Sequence, residues 1–233
     1  MSLRDIVKPL VKRPLNAVGL DIVRLAPPPP PPAPERAFRF APTEADRYLW
    51  LTSRGINTVV DVGAHEGEFA AKIHAILPRA SIFSFEPLAD AFGRLASNMA
   101  GVPNFRAFNC ACGDSDAKQI IYRNEFTPSS SLLHMARLHK DAFPFTEGET
   151  AEEVEVRRLD DVLPDPELRD NLLIKIDVQG YETRVVAGAQ RLLSRADLLI
   201  VETSFRVLYE GQSLFDDLYD LLRPKGFRYA GNW

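Results

Sequence analysis

Cysteine and histidine are scarce in this chain of 233 residues, which has two cysteines and four histidines. Cys110 and Cys112 lie two residues apart in an apolar, strand-like run, where their Cβ atoms are too far separated for a disulfide. Neither they nor His74, His134 and His139 have partners at metal-ligand spacing. The pattern predicts reduced thiols and no Cys/His metal centre, as is typical of a cytoplasmic protein.

An excess of basic charge and a long apolar run are missing as well. Lys plus Arg number 28 against 32 Asp plus Glu, a net charge of −4, so binding to nucleic acid through a basic surface is not expected. No uncharged run is long enough for a transmembrane helix or the core of a signal peptide. The hydrophobic content of 45% is typical of a soluble globular protein, and the length suits one α/β domain with appendages.

The chain divides into three regions. Residues 1–26 form a basic amphipathic segment, of which residues 1–25 can rest on an anionic membrane surface or pack on their own domain or a partner. Residues 27–35 are a proline-rich linker, expected to be a stiff polyproline II spacer. Residues 36–233 are predicted to be the folded domain, and residues 1–34 to be dispensable for cofactor binding.

The most informative motif is the turn that follows the first predicted strand. An apolar strand carries Asp61 near its end and turns through Gly63, Ala64, His65 and Gly67 into a helical pattern. A dinucleotide-binding turn would have a glycine where His65 stands, because the backbone must approach a pyrophosphate there. The motif therefore favours S-adenosylmethionine, with Asp61 facing its ammonium directly or through water and the turn N–H groups facing its carboxylate.

The second predicted strand ends in Glu86-Pro87, twenty-five residues after Asp61. An acid at the tip of that strand is placed to accept both hydroxyls of a ribose. A strand-turn-helix corner with an exposed Glu86 is the plainer alternative.

Strand and helix patterns alternate along the domain, which predicts an α/β fold with a mostly parallel, doubly wound sheet. The predicted strands are 58–62, 81–85, 105–111, 171–177, 197–202 and 227–231. The predicted helices are 43–54, 67–77, 88–99, 181–194 and 213–222. Residues 119–123 and 154–158 alternate apolar with polar residues and predict a small antiparallel insertion; the segment 124–150 between them is a binding loop or a surface insertion.

A second constellation ends the fourth large strand. Lys175 lies within that apolar strand, Asp177 ends it, and Gln179 and Glu182 follow in the next turn and helix. In a doubly wound sheet this strand lies beside the first. Its end therefore meets the turn 63–67, which we name the cofactor turn, at the switch point where ligands bind. Lys175 is expected to be buried and paired with a carboxylate, for which Asp61, Asp177 and Glu202 at the end of the fifth strand are the candidates.

Together, four segments resemble FkbM-type S-adenosylmethionine-dependent methyltransferases over roughly residues 55–205: D-V-G-A-H-E-G, F-E-P, L-D-D at 159–161 and I-K-I-D-V-Q-G-Y-E. The resemblance implies a Rossmann-like class I methyltransferase fold and methyl transfer to a hydroxyl oxygen of a sugar, polyketide or other secondary metabolite. It also implies cofactor contacts at Asp61, Gly63, Gly67 and Glu86, and a transfer site at Asp177, Gln179 and Glu182. Gln179 stands where the family often has Glu.

A hydroxyl acceptor needs a base within hydrogen-bond reach, and Asp177 is the first candidate, ahead of His65. Alternatively, Asp177 caps a helix and His65 only shapes the turn. The predicted cofactor site is Asp61, Gly63, Ala64, His65, Gly67, Glu86, Pro87 and Asp177; Lys175 joins Asp177 and His65 in the catalytic set, and Gln179, Glu182 and Glu202 form the substrate set. Asp177, Glu182 and Glu202 can also gather a divalent cation, although carboxylates beside a cationic sulfonium need no metal. The alternative functions are a non-catalytic nucleoside-cofactor binding protein and a dinucleotide-dependent oxidoreductase.

Overall fold

The computed structural model describes residues 46–124, 129–142, 149–165 and 168–231. The predicted amphipathic segment 1–26, the linker 27–35 and the first residues of the predicted domain lie outside the described residues. Within the described ranges, none of the helices combines the length and the apolar character that a membrane crossing requires.

A five-stranded parallel sheet forms the centre of the domain, with the order β3-β2-β1-β7-β8. In chain order, the strands of the described residues are β1 Thr58–Val62, β2 Ser81–Phe85, β3 Phe105–Phe108, β4 Ala111–Cys112, β5 Ala117–Asn124, β6 Glu149–Arg157, β7 Leu172–Ile176 and β8 Ala196–Val201. Every residue of β1 and β7 is buried, as expected where helices cover both faces of a parallel sheet. The prediction that the first and fourth large strands are neighbours is confirmed. These strands are β1 and β7, and β1 pairs with β7 along its whole length.

Helices pack on both faces of this sheet. The helices of the described residues are α1 Glu68–Ile76, α2 Ala89–Asn98, α3 Arg137–Ala142, α4 Leu159–Val162, α5 Glu182–Ala187, α6 Gln190–Arg195 and α7 Phe215–Leu222, with 3-10 helices at Asp46–Arg54 and Arg223–Lys225. Alternate residues of β1 enter different cores: Val60 and Val62 pack with α5, α6 and α7, whereas Val59 packs with α1 and α2. The period-two alternation of a strand thus divides the apolar residues between two layers.

The predicted antiparallel insertion is present as a second, three-stranded sheet with the order β4-β6-β5. Strands β5 and β6 pair antiparallel from Ala117 opposite Val156 to Asn124 opposite Glu149. Its buried residues Ile121, Val154 and Val156 pack with Leu88 and Ala91 at the start of α2. This contact holds the small sheet beside the carboxyl edge of the large one.

The predicted strand at 227–231 is wrong, because these residues form no strand in the structure. Gly226, with φ of 96°, ends the last 3-10 helix, and the apolar residues beyond it are used in packing. Phe227 packs against the core, and Tyr229 packs edge-on against Phe215. The apolar residues that suggested a strand at 227–231 are therefore explained by side-chain packing and not by strand pairing.

Three other predicted elements are shorter or divided. The predicted strand 105–111 stops at Phe108, and Ala111–Cys112 joins the small sheet. The predicted helix 181–194 is two helices separated at Gly188, where a Cβ atom would lie 1.8 Å from the carbonyl oxygen of Gly113. The predicted helix 43–54 is a 3-10 helix over its described part, Asp46–Arg54.

Candidate active site

A cavity of about 620 Å³ opens where β1, β2, β7 and β8 end. Its volume lies within the range usual for small-molecule sites. Its lining includes residues from the turn after β1, the segment after β2 and the segment after β7, together with Cys110–Cys112, Ser129–Leu132, His139 and Glu202. The cavity therefore lies at the switch point that the strand order defines.

The turn after β1 is held by its own backbone and by the neighbouring strand ends. The N–H groups of Gly63 and Ala64 both donate to the carbonyl oxygen of Phe85 at 3.0 Å, and that of Gly67 donates to Ala64 at 2.9 Å. The expectation that these N–H groups face a ligand is therefore wrong for these three residues. The first turn of α1 is the nearest remaining source of backbone donors.

Two glycines of this turn are required for different reasons. Gly63 has φ of 79°, and a Cβ atom there would lie 1.8 Å from the carbonyl oxygen of Asp177, so the turn and the segment after β7 touch through backbone. Gly67 has φ of 92°, and its Cβ would lie 2.7 Å from Leu95 of α2. Gly63 and Ala64 line the cavity, whereas Gly67 is absent from its wall and instead allows α1 to pack on α2.

Glu86 lies at the tip of β2 and lines the cavity together with Pro87, but it is buried, not exposed. Its Oε2 accepts a hydrogen bond from the N–H of His65, and its Oε1 accepts one from Leu88, both at 2.9 Å. Burial raises the pKa of Glu86, and these backbone donors act against that rise. Each carboxylate oxygen can accept a second hydrogen bond, so the side chain keeps capacity for a ligand hydroxyl.

Lys175 is the buried, paired cation that the sequence predicts. The side chain is 11% exposed, and Nζ lies 3.2 Å from Asp61 Oδ1 and 3.3 Å from Asp177 Oδ2. Nζ also donates to the carbonyl oxygen of Gly63 at 2.9 Å. Burial alone would lower the pKa of Lys175, but the two carboxylates outweigh it and raise that pKa above its usual value. The ammonium is therefore permanently charged and ties β1, β7 and the cofactor turn together.

Asp61 is fully buried beneath Lys175 and is absent from the cavity wall. Its other oxygen, Oδ2, accepts a hydrogen bond from Ser84 at 3.4 Å. A direct contact between Asp61 and a ligand in the cavity is therefore not available in this structure.

Asp177 and Glu202 form an acid pair at the ends of β7 and β8. Gln179 bridges them, because its Nε2 donates to Asp177 Oδ1 at 3.0 Å and also to Glu202 Oε2. Burial opposes charge on Asp177, yet Lys175 and the hydrogen bonds from Glu202 and Gln179 lower its pKa. Burial, followed by the hydrogen bond and charge of Asp177, raises the pKa of Glu202 to about 9. Near neutral pH the pair thus carries one proton and one negative charge.

Glu182 does not face the cavity, which corrects the expectation that it contacts the substrate. Its side chain is 4% exposed, and Oε1 accepts hydrogen bonds from the N–H groups of Gly180 at 2.9 Å and Val178 at 3.3 Å. It therefore shapes the turn that carries Gln179. The alternative cation site of Asp177, Glu182 and Glu202 is not assembled, and the described part of the chain holds no group of three or more acids, histidines or cysteines suited to a metal ion.

His65 lines the cavity on the side of α1 and has a left-handed backbone with φ of 49°. Its ring nitrogens face carboxylates of the same segment, with Nδ1 3.7 Å from Glu68 and Nε2 4.0 Å from Glu66. This geometry associates His65 with the cofactor turn and not with the acid pair.

The aspartate of the L-D-D motif has a structural role that the motif alone does not reveal. The Asp160 carboxylate accepts hydrogen bonds from the backbone N–H groups of Arg191 at 2.9 Å and Leu192 at 3.0 Å. Both donors belong to the first turn of α6, where N–H groups have no partner within the helix. Asp160 therefore caps α6 from a distant point in the chain.

Three residues near the acid pair were missed by sequence reasoning: Ser131, His139 and Tyr209. Tyr209 is 1% exposed, and the single proton of its hydroxyl has two acceptors within reach, Gln179 Oε1 at 2.9 Å and the Ser129 carbonyl oxygen at 3.1 Å. His139 is buried at the cavity wall, edge-on to Tyr209 with 5.1 Å between ring centroids. No motif or periodicity marks these residues, because Ser131 and Tyr209 reach the site from loops and His139 from the short helix α3.

The parallel strand order, the cavity at the carboxyl edge and the acids at the strand ends define a Rossmann-like fold of the class I methyltransferase type. Residues 61–229 match the family described as the Methyltransferase FkbM domain. The match covers most of the chain, which therefore belongs to the FkbM methyltransferase family.

Two relatives have names that state an activity. The 2-O-methyltransferase NoeI of Sinorhizobium fredii is 30% identical over 175 residues, which are 70% of this chain and 70% of that protein. The 31-O-demethyl-FK506 methyltransferase FkbM of Streptomyces tacrolimicus is 28% identical over 201 residues, 73% of this chain and 72% of that protein. The crystal structure of Methyltransferase FkbM from Methylobacillus flagellatus covers 73% of this chain and 36% of its own, at 18% identity and a TM-score of 0.46. The family and the names of the two relatives support methyl transfer as the class of reaction.

Proposed function

We propose that this protein transfers a methyl group from S-adenosylmethionine to a hydroxyl oxygen of a small acceptor, such as a sugar, a polyketide or another secondary metabolite. The observation that carries the proposal is the Asp177–Glu202 pair, which shares one proton at the cavity and is held by Lys175 and Gln179. Relatives named as 2-O- and 31-O-methyltransferases support oxygen as the accepting atom.

The wall of the cavity offers groups that suit the donor. Glu86 keeps acceptor capacity for ribose hydroxyls, and Pro87 and Leu88 give an apolar surface beside it. Asp177, which also lines the cavity, supplies negative charge. When bound, S-adenosylmethionine supplies a methyl group on a cationic sulfonium, which an anionic wall favours.

The chain's own residues then have to orient the acceptor and take its proton. Asp177 is ionised at neutral pH and can accept the proton of an acceptor hydroxyl within hydrogen-bond reach. Lys175 holds that carboxylate in place, and Glu202 retains the proton that the pair shares. Orientation in an enclosed cavity can contribute up to about 7–11 kcal/mol to such a reaction.

We expect Asp177→Asn to lower methyl transfer by about 10²–10⁴-fold, because the amide cannot accept the proton. The test is mass spectrometry of metabolite extracts incubated with the protein and S-adenosylmethionine labelled on its methyl group. Asp216→Asn is the matched control, since Asp216 is exposed on α7. Full transfer by Asp177→Asn would contradict the assignment of the base. Binding of nicotinamide dinucleotides in place of S-adenosylmethionine would contradict the proposed function itself.

We expect Glu86→Ala to weaken binding of S-adenosylmethionine by about 1–3 kcal/mol, the usual value of a lost charge-assisted hydrogen bond. The alanine also leaves the N–H groups of His65 and Leu88 without their acceptor, so some stability should be lost. Glu86→Gln separates the two effects. The glutamine carries no charge, but its amide oxygen can still accept one of the two hydrogen bonds from the backbone. Isothermal calorimetry measures the affinity and thermal unfolding the stability. Unchanged affinity in a folded alanine variant would exclude the ribose contact.

A further inference from the structure

Two segments, which we name the cap, close one side of the cavity: Ser129–Ala142, which ends in the short helix α3, and Ser204–Gln212. Backbone hydrogen bonds join them, from the N–H of Ala136 to Leu208 and from the N–H of Glu210 to His134, both at 2.8 Å. Ser129–Leu132, His139 and Leu208 of the cap line the cavity. The cap thus forms part of the cavity wall.

Gln179 is the point where the cap meets the acid pair. The hydroxyl of Ser131 donates to its backbone carbonyl at 2.7 Å, and the hydroxyl of Tyr209 donates to its Oε1 at 2.9 Å. Gln179 has φ of 54°, a left-handed conformation that a residue with a side chain keeps only where its surroundings enforce it. Hydrogen bonds from the cap to both its backbone and its side chain supply that enforcement.

The direction of the Gln179 amide decides how the acid pair is held. Its NH2 group has two donors, which suit the oxygens of Asp177 and Glu202, whereas its carbonyl oxygen would repel the ionised carboxylate of Asp177. A turned amide would also lose the hydrogen bond that Oε1 accepts from the Tyr209 hydroxyl. Tyr209 therefore favours the orientation in which both acids receive a hydrogen bond.

We propose that Tyr209 is a positioning residue for methyl transfer, acting through Gln179 to fix the separation and the shared proton of Asp177 and Glu202. The proposal rests on the proposed function for its catalytic consequence but not for its geometry. It also makes the cap part of the reaction machinery, because contacts between the acceptor and Ser131 or His139 reach the acid pair through one residue, Gln179. We therefore expect an acceptor that leaves the cap unoccupied to be methylated slowly, even where its hydroxyl reaches Asp177.

Tyr209→Phe removes only the hydroxyl and tests this directly. We expect at least a tenfold lower kcat for methyl transfer, with the affinity for S-adenosylmethionine within about twofold of the unmodified protein, because Glu86 and the cofactor turn are untouched. Loss of the amide hydrogen bond destabilises ionised Asp177, so the acidic limb of the pH profile of kcat/KM should move to higher pH. The other charged groups around the pair, Lys175, Asp61 and Glu182, are unchanged by the substitution. Tyr219→Phe on α7 is the matched control and should change none of these quantities.

A second readout needs no methyl transfer. The chain has four glutamines, so glutamine-selective 15N labelling gives few side-chain amide signals, and Gln179→Asn assigns the one of interest. In the unmodified protein that signal should follow the titration of the acid pair; in Tyr209→Phe it should lose this dependence or split into two orientations. Ser131→Ala, which removes the backbone anchor, should act in the same direction.

The outcomes separate the two proposals. An unaltered amide titration together with an unaltered pH profile in both variants would overturn the positioning role. An altered titration in a protein that transfers no methyl group from any extract would retain the positioning of the acids and overturn the proposed function.

Discussion

Lys175→Met is expected to destabilise the protein by roughly 3–5 kcal/mol, the usual cost of removing one partner from a buried ion pair. Asp61 explains the size of the effect, because it is fully buried and Lys175 is its cationic partner at 3.2 Å. Without the ammonium, the buried Asp61 carboxylate has no cationic partner. Either the strand ends then unfold, or Asp61 takes up a proton. Denaturant unfolding measures the loss, and methyl transfer should disappear together with the fixed Asp177 carboxylate.

The double variant Lys175→Met with Asp61→Asn is the informative control. It removes both buried charges, so it should recover a large part of the stability that the single variant loses. Lys118→Met gives the surface comparison, since Lys118 pairs with Glu153 in solvent and should change little. A single Met variant with full stability and activity would refute the buried-pair account.

Gly63→Ala is the second substitution with a large expected effect, about 3 kcal/mol of destabilisation or more. Its backbone has φ of 79°, and the added Cβ would lie 1.8 Å from the Asp177 carbonyl oxygen. Because that oxygen belongs to backbone, relief requires the cofactor turn and the segment after β7 to separate. Activity should therefore be lost even at temperatures where the variant stays folded.

Two other glycines allow the backbone strain in Gly63→Ala to be measured separately from its clash with the Asp177 carbonyl oxygen. Gly101 has φ of 83° with open space around it, so Gly101→Ala measures the backbone strain alone, about 1–2 kcal/mol. Gly93 is helical and also open, so Gly93→Ala should be neutral or stabilising by about 0.5–1 kcal/mol. If Gly63→Ala lowers the free energy of unfolding no more than Gly101→Ala does, the close approach to Asp177 does not contribute to the destabilisation.

Local sequence patterns were sufficient to predict the residues of the site that lie at the strand ends of the large sheet. Strand period two placed Lys175 and Asp177 on one face, and the doubly wound order placed Asp61 beside them, so the buried pair could be predicted without coordinates. The tip of β2 likewise brought Glu86 to the cavity. These positions follow from backbone geometry that every parallel sheet shares.

The remaining parts depend on contacts between distant segments. Glu182 turns inward because Gly180 and Val178 offer it backbone donors, which a one-dimensional pattern does not show. Gly188 divides the predicted helix 181–194 because Gly113 packs against it from seventy-five positions earlier in the chain. Tyr209 reaches Gln179 across thirty residues. Side-chain direction and loop contacts of this kind become visible only in three dimensions.

The cavity has walls of two different kinds. On the side of the proposed donor site, Gly63, Ala64 and Phe85 touch through main-chain atoms, which no substitution can alter without moving a strand. On the cap side, Ser129–Leu132 and Leu208 present side chains from loops, and His139 presents one from the short helix α3. Under the proposed function, we expect mutations in the cap to leave donor binding undisturbed and exchange of cap sequences to change the acceptor. Grafting a relative's cap segments onto this chain, with Tyr209 and Ser131 retained, is the direct route to a changed acceptor preference.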